Sequence, residues 1–206
     1  MTDQKHKRGW RARDIILTLL LATLLGGIVA ARLLYAPYRI PSASMVPTLL
    51  VGEYVLASNN QTQLRVGDVV FTTQVDPQSA RRETRVRRVL ALPGQRIAFR
   101  DGVPFVNGVR ARQEETREVG PDGERIMRET LGGRSYRVAY HSEGMPDLRD
   151  MSEHVVPAGK VFLVGDARDN ALDSRIEGAQ PIASIRQSGG WIIFSPVSGR
   201  AGHRIE

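Results

Sequence analysis

"RVRRVLALPGQRIAFRDGVPFVNG", Arg85 to Gly108, is the stretch that decides the fold. It holds three short runs rich in Val, Ile and Phe, with Asp101-Gly102 and Asn107-Gly108 as punctuation. Both dipeptides supply the positive φ that tight hairpin turns require, so the stretch predicts strands folding back on one another. The same texture extends outward. "EYVLAS" and "GDVVFTT" precede it, and "SYRVAY", "KVFLVGD" and "GWIIFSP" follow, several of them alternating apolar with polar residues. No part of this region has sustained helical periodicity with caps, and there is no internal repeat or low-complexity tract. The expected fold class is an all-β domain. Residues from about 110 to 157 are more charged and are broken by "PDGE", "LGG" and "EGMPD", so they read as an inserted subdomain or a set of long hairpins.

Upstream the pattern changes. Ile15 to Ala31, "IILTLLLATLLGGIVAA", is 17 residues without a charge, about 25 Å of helix at 1.5 Å per residue. Continued through Leu33, Leu34 and Tyr35, with Arg32 snorkelling to the headgroups, it is long enough to span a bilayer. A buried core helix would carry a polar stripe, and this run has only Thr18 and Thr23. A cleaved signal peptide ending at the small residues Val29 and Ala31 is the alternative. Lys5, Lys7, Arg8, Arg11 and Arg13 precede the span and place the N-terminus on the cytoplasmic side. The expected organisation is a basic segment at 1–14, one transmembrane helix at 15–35 and an exported domain at 36–206 on the outer, periplasmic side of the inner membrane.

The formal net charge of the 206 residues is +7, but from Leu33 onward 23 basic residues face 20 acidic ones, so a nucleic-acid-binding face is weakly supported. The absence of cysteine excludes a disulfide framework and thiolate zinc sites without choosing a compartment. No metal, nucleotide or cofactor motif is visible, and none is expected. Only three of the 29 basic residues are lysines: Lys5, Lys7 and Lys160.

Just past the span, "RIPSASMVPTLL" (Arg39 to Leu50) sets Ser44 between two prolines. A serine there is ordinarily a turn residue. Three further stretches change its standing: "RVRRVLALPGQRI" (Arg85 to Ile97), "VPAGKVFLVGDARDN" (Val156 to Asn170) and "ALDSRIEG" ending at Gly178. With "IPSASMVPTLLVGEYVL" they resemble the type I signal peptidases in order and approximate spacing. The resemblance covers the basic N-terminus, the span and nearly all of the remaining domain. It implies that Ser44, followed by Met45, is the nucleophile, and that the Ser42 hydroxyl helps bind the oxyanion. Asp166, Arg168, Asp169, Asn170, Asp173 and Arg175 match positions that brace the family's site. Arg88 is expected to pair with one of these aspartates.

In that family the base is a buried lysine, neutral because desolvation penalises its charge. Here the "Lys-Arg" pair before "LPG" reads Arg87-Arg88, so Arg87 holds the position of the general base. Ala171 stands where a serine usually orients the lysine, and Ala167 where asparagine is usual. His141, His154 and Lys160 are the other groups weighed as a base. The resemblance implies a serine endopeptidase that removes signal peptides from exported precursors after small residues, with the lipid membrane and those precursors as partners. The alternative is a catalytically impaired relative that retains precursor binding or an assembly role. A self-cleaving repressor-type domain would need a DNA-binding unit where the span lies.

Overall fold

The computed structural model of the protein describes residues 11–59, 63–75, 82–141 and 144–205. Lys5, Lys7 and Arg8 lie outside these, as does most of the basic segment. Helix α1 spans Ala12–Leu34. It begins three residues earlier than the hydropathy suggested because Asp14 caps it, its carboxylate accepting the Arg11 N–H at 3.2 Å. It ends one residue earlier because Tyr35 is already extended. At 23 residues, with a mean hydropathy of 2.2 and no buried residue, it is the one described helix long and apolar enough to cross a membrane.

Beyond α1 the chain is built from strands. β1 (Tyr35–Arg39) continues without a break from the helix and pairs with β2 (Tyr54–Ser58). β3 (Val69–Val75) and β4 (Arg82–Ala91) pair along their length, from Val69 opposite Arg88 to Val75 opposite Arg82. β5 (Arg96–Arg100), β6 (Val103–Val106) and β7 (Val109–Arg110) follow as two hairpins. Arg100 faces Val103 across Asp101-Gly102, and Val106 faces Val109 across Asn107-Gly108. All four loop residues have φ between 51° and 80°, the two-residue turn whose twist matches that of the strands.

The charged region forms a three-stranded antiparallel meander, β8 (Arg112–Val119), β9 (Arg125–Leu131) and β10 (Arg134–Tyr140). β11 (Met151–Val155) then returns to β5, giving the four-stranded order β11-β5-β6-β7. β12 (Lys160–Val164) closes on the far half of β4, the four-residue helix α2 (Ser174–Glu177) follows, and β13 (Gln180–Pro181) pairs with β12. β14 (Ile185–Phe194) fits between β2 and β3, with β15 (Arg204–Ile205) beside it. The protein is therefore mostly β-sheet behind one apolar helix.

Two apolar clusters fix the sheets against each other. Met45, Leu49, Val55 and Phe71 bury one side of β2 and β3, while Leu90, Phe99, Val138 and Phe162 join the main sheet to both smaller ones. At about 1.5 to 3 kcal/mol for each large side chain buried, these clusters anchor everything near Ser44. One half of β4 is left distinct. β12 covers it only from Arg88 to Ala91, so Arg82–Arg87 has β3 on one side and no described strand on the other.

Candidate active site

Ser44 sits in a 3-10 turn, Ala43–Met45, entered from the extended Ser42. Met45 and Leu49 are buried beneath it and tie the turn to the core. The Ser44 carbonyl accepts the Ala167 N–H at 3.2 Å, which fastens the turn to the loop after β12. The two hydroxyls, Ser42 Oγ and Ser44 Oγ, are 3.2 Å apart.

Arg87 approaches from the uncovered half of β4. Its Nη1 donates to Ser44 Oγ at 3.0 Å and to the Val86 carbonyl at 2.6 Å, and its Nη2 donates to the Leu172 carbonyl at 2.7 Å. Burial pulls the guanidinium below its ordinary pKa, Asp173 opposes that and Arg85 adds to it. Ser42, Ser44, Met45 and Arg87 together border a groove of about 410 Å³, lined also by Ile40, Pro41 and Glu83 to Val86. A larger depression of about 740 Å³ lies elsewhere, lined by Asp68, Arg134, Trp191 and Arg204. It contains neither Ser44 nor Arg87, so size does not select the site; chemistry does.

The bracing residues have separate tasks. Arg88 reaches the opposite face of β4 and grips Asp166 with Nε and Nη2, both at 2.8 Å, while Nη1 donates to the Gly67 carbonyl. Thr48 donates to the same Asp166 at 2.5 Å, and the Tyr136 ring lies 4.0 Å under the guanidinium. Arg168 turns away from the aspartates to Glu129 on β9, at 2.6 and 2.7 Å. Burial works against that charge, but Glu129, Tyr136 and Tyr140 together outweigh it and raise the pKa. Asp173 caps α2, accepts the Gly165 N–H at 3.0 Å and is held by Arg175 at 2.7 Å. Asp169 accepts from the His141 backbone, and the His141 ring lies between Asp169 and Glu124 at 3.2 and 3.3 Å. His154 is exposed and bonded to the Ser152 carbonyl, and Lys160 is exposed at the start of β12. None of these three borders the Ser44 groove.

Sequence reasoning passed over three contributors. Gly165 must lack a side chain, since a Cβ there would come within 2.5 Å of the Ala171 Cβ and 2.6 Å of the Ser44 carbonyl. The "VGD" tripeptide was the available signal. The Leu172 carbonyl holds Arg87 through backbone position, which residue identity cannot disclose. Glu129 pairs with a residue 39 positions away.

An apolar helix long enough to cross a membrane thus precedes a β-fold that sets two paired hydroxyls beside one half of β4. The chain belongs to the signal peptidase, peptidase S26 family, whose pattern it matches over residues 12–193. It is 30% identical over 172 residues to signal peptidase I of Pseudomonas fluorescens, covering 72% of this chain and 57% of that protein. Signal peptidase I of Bacillus caldolyticus is 28% identical over 186 residues, 90% of each chain. The chain thus spans little more than half of the Pseudomonas relative and most of the Bacillus one. Among solved structures, a signal peptidase I from Enterococcus faecalis V583 aligns with a TM-score of 0.37 at 21% identity, over 62% of this chain and 97% of that one.

Proposed function

We propose that this chain recognises signal-peptide-bearing precursors in the groove beside Ser44, and that its cleavage step is restrained by Arg87. The precursor adds as an extended strand along the Arg82–Arg87 half of β4, on the side away from β3. Ser44 is the nucleophile and Ser42 the oxyanion donor in this reading, the latter a contribution of about 3 to 4 kcal/mol where such a donor is well aimed. The observation that carries the restraint is the 3.0 Å bond from Arg87 Nη1 to Ser44 Oγ. An attacking hydroxyl must give its proton to an acceptor, whereas Arg87 donates one to it.

A guanidinium stays protonated far above neutrality, so to act as a base near pH 8 its pKa would have to be pulled down at a cost of roughly 7 kcal/mol. Burial acts in that direction, but Asp173 works against it. The full signal peptidase reading keeps one observation in its favour, the Ser42 and Ser44 hydroxyls 3.2 Å apart at the groove. The proposed setting is the inner membrane, crossed once by α1, with the N-terminus inside, as Arg11, Arg13 and the basic residues before them direct.

Cleavage of a precursor with Ala at both small positions, at pH 8 to 9, separates the two readings. Arg87→Lys supplies a group that burial can neutralise and is expected to raise turnover at least about tenfold, with Ser44→Ala abolishing it. A wild type that turns over rapidly, with Arg87→Lys neutral or harmful, overturns the restraint and leaves the active peptidase.

A further inference from the structure

Replacing a neutral base by a fixed cation reverses the hydrogen bond at Ser44, and that reversal defines a ligand. A base accepts the hydroxyl proton. Arg87 instead fills an Oγ lone pair from 3.0 Å, so the Ser44 proton is left to be donated, either to Ser42 Oγ at 3.2 Å or to whatever enters the groove. The groups this point offers to a ligand, the Ser44 hydroxyl and the guanidinium, are then donors. The guanidinium is also short of a counter-charge, for among the described residues no carboxylate lies within 4.0 Å of it. The acids that act on Arg87 are Asp173 and Glu177. Asp173 is already held by Arg175, and Glu177 by Arg85, which also reaches Glu83 at 3.6 Å. A half-buried cation held by carbonyls and a hydroxyl is stabilised when an anion arrives.

We propose that the Ser44–Arg87 site binds the free α-carboxylate at the C-terminus of an extended peptide. The terminal carboxylate carbon would occupy the place where a scissile carbonyl carbon would lie against Ser44 Oγ. Its two oxygens then accept from the second Nη2 proton of Arg87 and from the Ser44 hydroxyl, while the upstream residues lie along Arg82–Arg87 as a strand. The site therefore prefers a chain that has already been cut to one that continues through the groove. This inference rests on the groove being the peptide site, as proposed above, but it does not require that this chain do the cutting.

Two fluorescein-labelled peptides test it, identical and ending in Ala-Xaa-Ala, one with a free carboxylate and one with a C-terminal carboxamide. Binding to the full chain in detergent micelles is read by fluorescence anisotropy at neutral pH. The free acid is expected to bind at least about tenfold tighter than the amide, a margin that shrinks as salt is raised. In Arg87→Met the margin should fall below about twofold. Equal binding of acid and amide to wild type overturns the carboxylate site and leaves the groove standing, and this comparison needs no variant to fold. Absence of binding by either peptide overturns both the site and the groove. A margin that survives in Arg87→Met places the carboxylate on another cation and overturns the assignment to Arg87.

Discussion

Arg87 and Arg88 are adjacent on β4, the first half-buried and the second buried, and they live in opposite electrostatic worlds. Arg88 has Asp166 on two nitrogens, the Gly67 carbonyl on a third and the Tyr136 ring beneath it. Arg87 has carbonyls and a hydroxyl, and no carboxylate within 4.0 Å among the described residues. The alternation of a strand sends consecutive side chains to opposite faces, which is how one dipeptide serves two purposes. A balanced charge is a fastening. An unbalanced one is a site waiting for a partner.

The comparison is broken most forcefully from the balanced side. Arg88→Met leaves Asp166 buried and uncompensated, and is expected to cost about 3 to 5 kcal/mol of stability, read from urea unfolding of the solubilised full chain. A loss below about 1 kcal/mol would mean that Asp166 finds other partners and that the pair is no fastening. A smaller effect is expected at the seam between the two faces. Gly165→Ala drives a methyl into Ala171 and the Ser44 carbonyl, costing about 1 to 3 kcal/mol and displacing Ser44. Normal stability with normal peptide binding would show that the loop yields without cost.

The smallest effect is expected at Arg87 itself. Arg87→Met removes an uncompensated charge along with its hydrogen bonds, so the two changes offset and stability should stay within about 1 kcal/mol of wild type. The pH dependence has a definite sign. Because burial lowers the folded-state pKa of Arg87, its charged form is a cost to folding that is present in full below that pKa and relieved as pH rises through it. The difference between wild type and Arg87→Met is therefore flat around neutral pH, and on the alkaline side wild type gains relative to the variant. A strong loss in Arg87→Met at neutral pH would place Arg87 among the fastenings with Arg88.

How much of this was legible follows from what kind of information each part carries. The hairpins on either side of β6 were legible because Asp101-Gly102 and Asn107-Gly108 state a local backbone requirement, and α1 because an uncharged run of that length is a bulk property. Ser42, Ser44 and Arg87 were singled out together by the resemblance of their motifs to the signal peptidases, and folding brings them within hydrogen-bonding reach. The bracing charges were harder. The sequence offered Arg168 a set of nearby acids, but the β8–β10 meander delivers Glu129 instead, because long-range pairing is decided by which strands meet. The region of residues 110–157 had no readable purpose in sequence, yet it supplies Glu129 and the Ala139 contact to Ala167. The Leu172 carbonyl was beyond sequence altogether, since every residue has one.

The position of β14 has a consequence for how the molecule assembles. Ser58 of β2 and Val70 of β3 both pair with Ser188, so the central gap of the main sheet is filled from near the end of the chain. The β5–β6–β7 hairpins, by contrast, need only neighbours a few residues away. Local pairings form quickly and distant ones slowly, so the hairpins should be in place while β2 and β3 still show each other unpaired edges. Until β14 arrives, those edges and the apolar faces of Val55, Val70 and Phe71 are open to other chains. Loss of β14 would thus turn a folding problem into an aggregation problem, even though Ser44 and Arg87 lie far upstream of it in sequence.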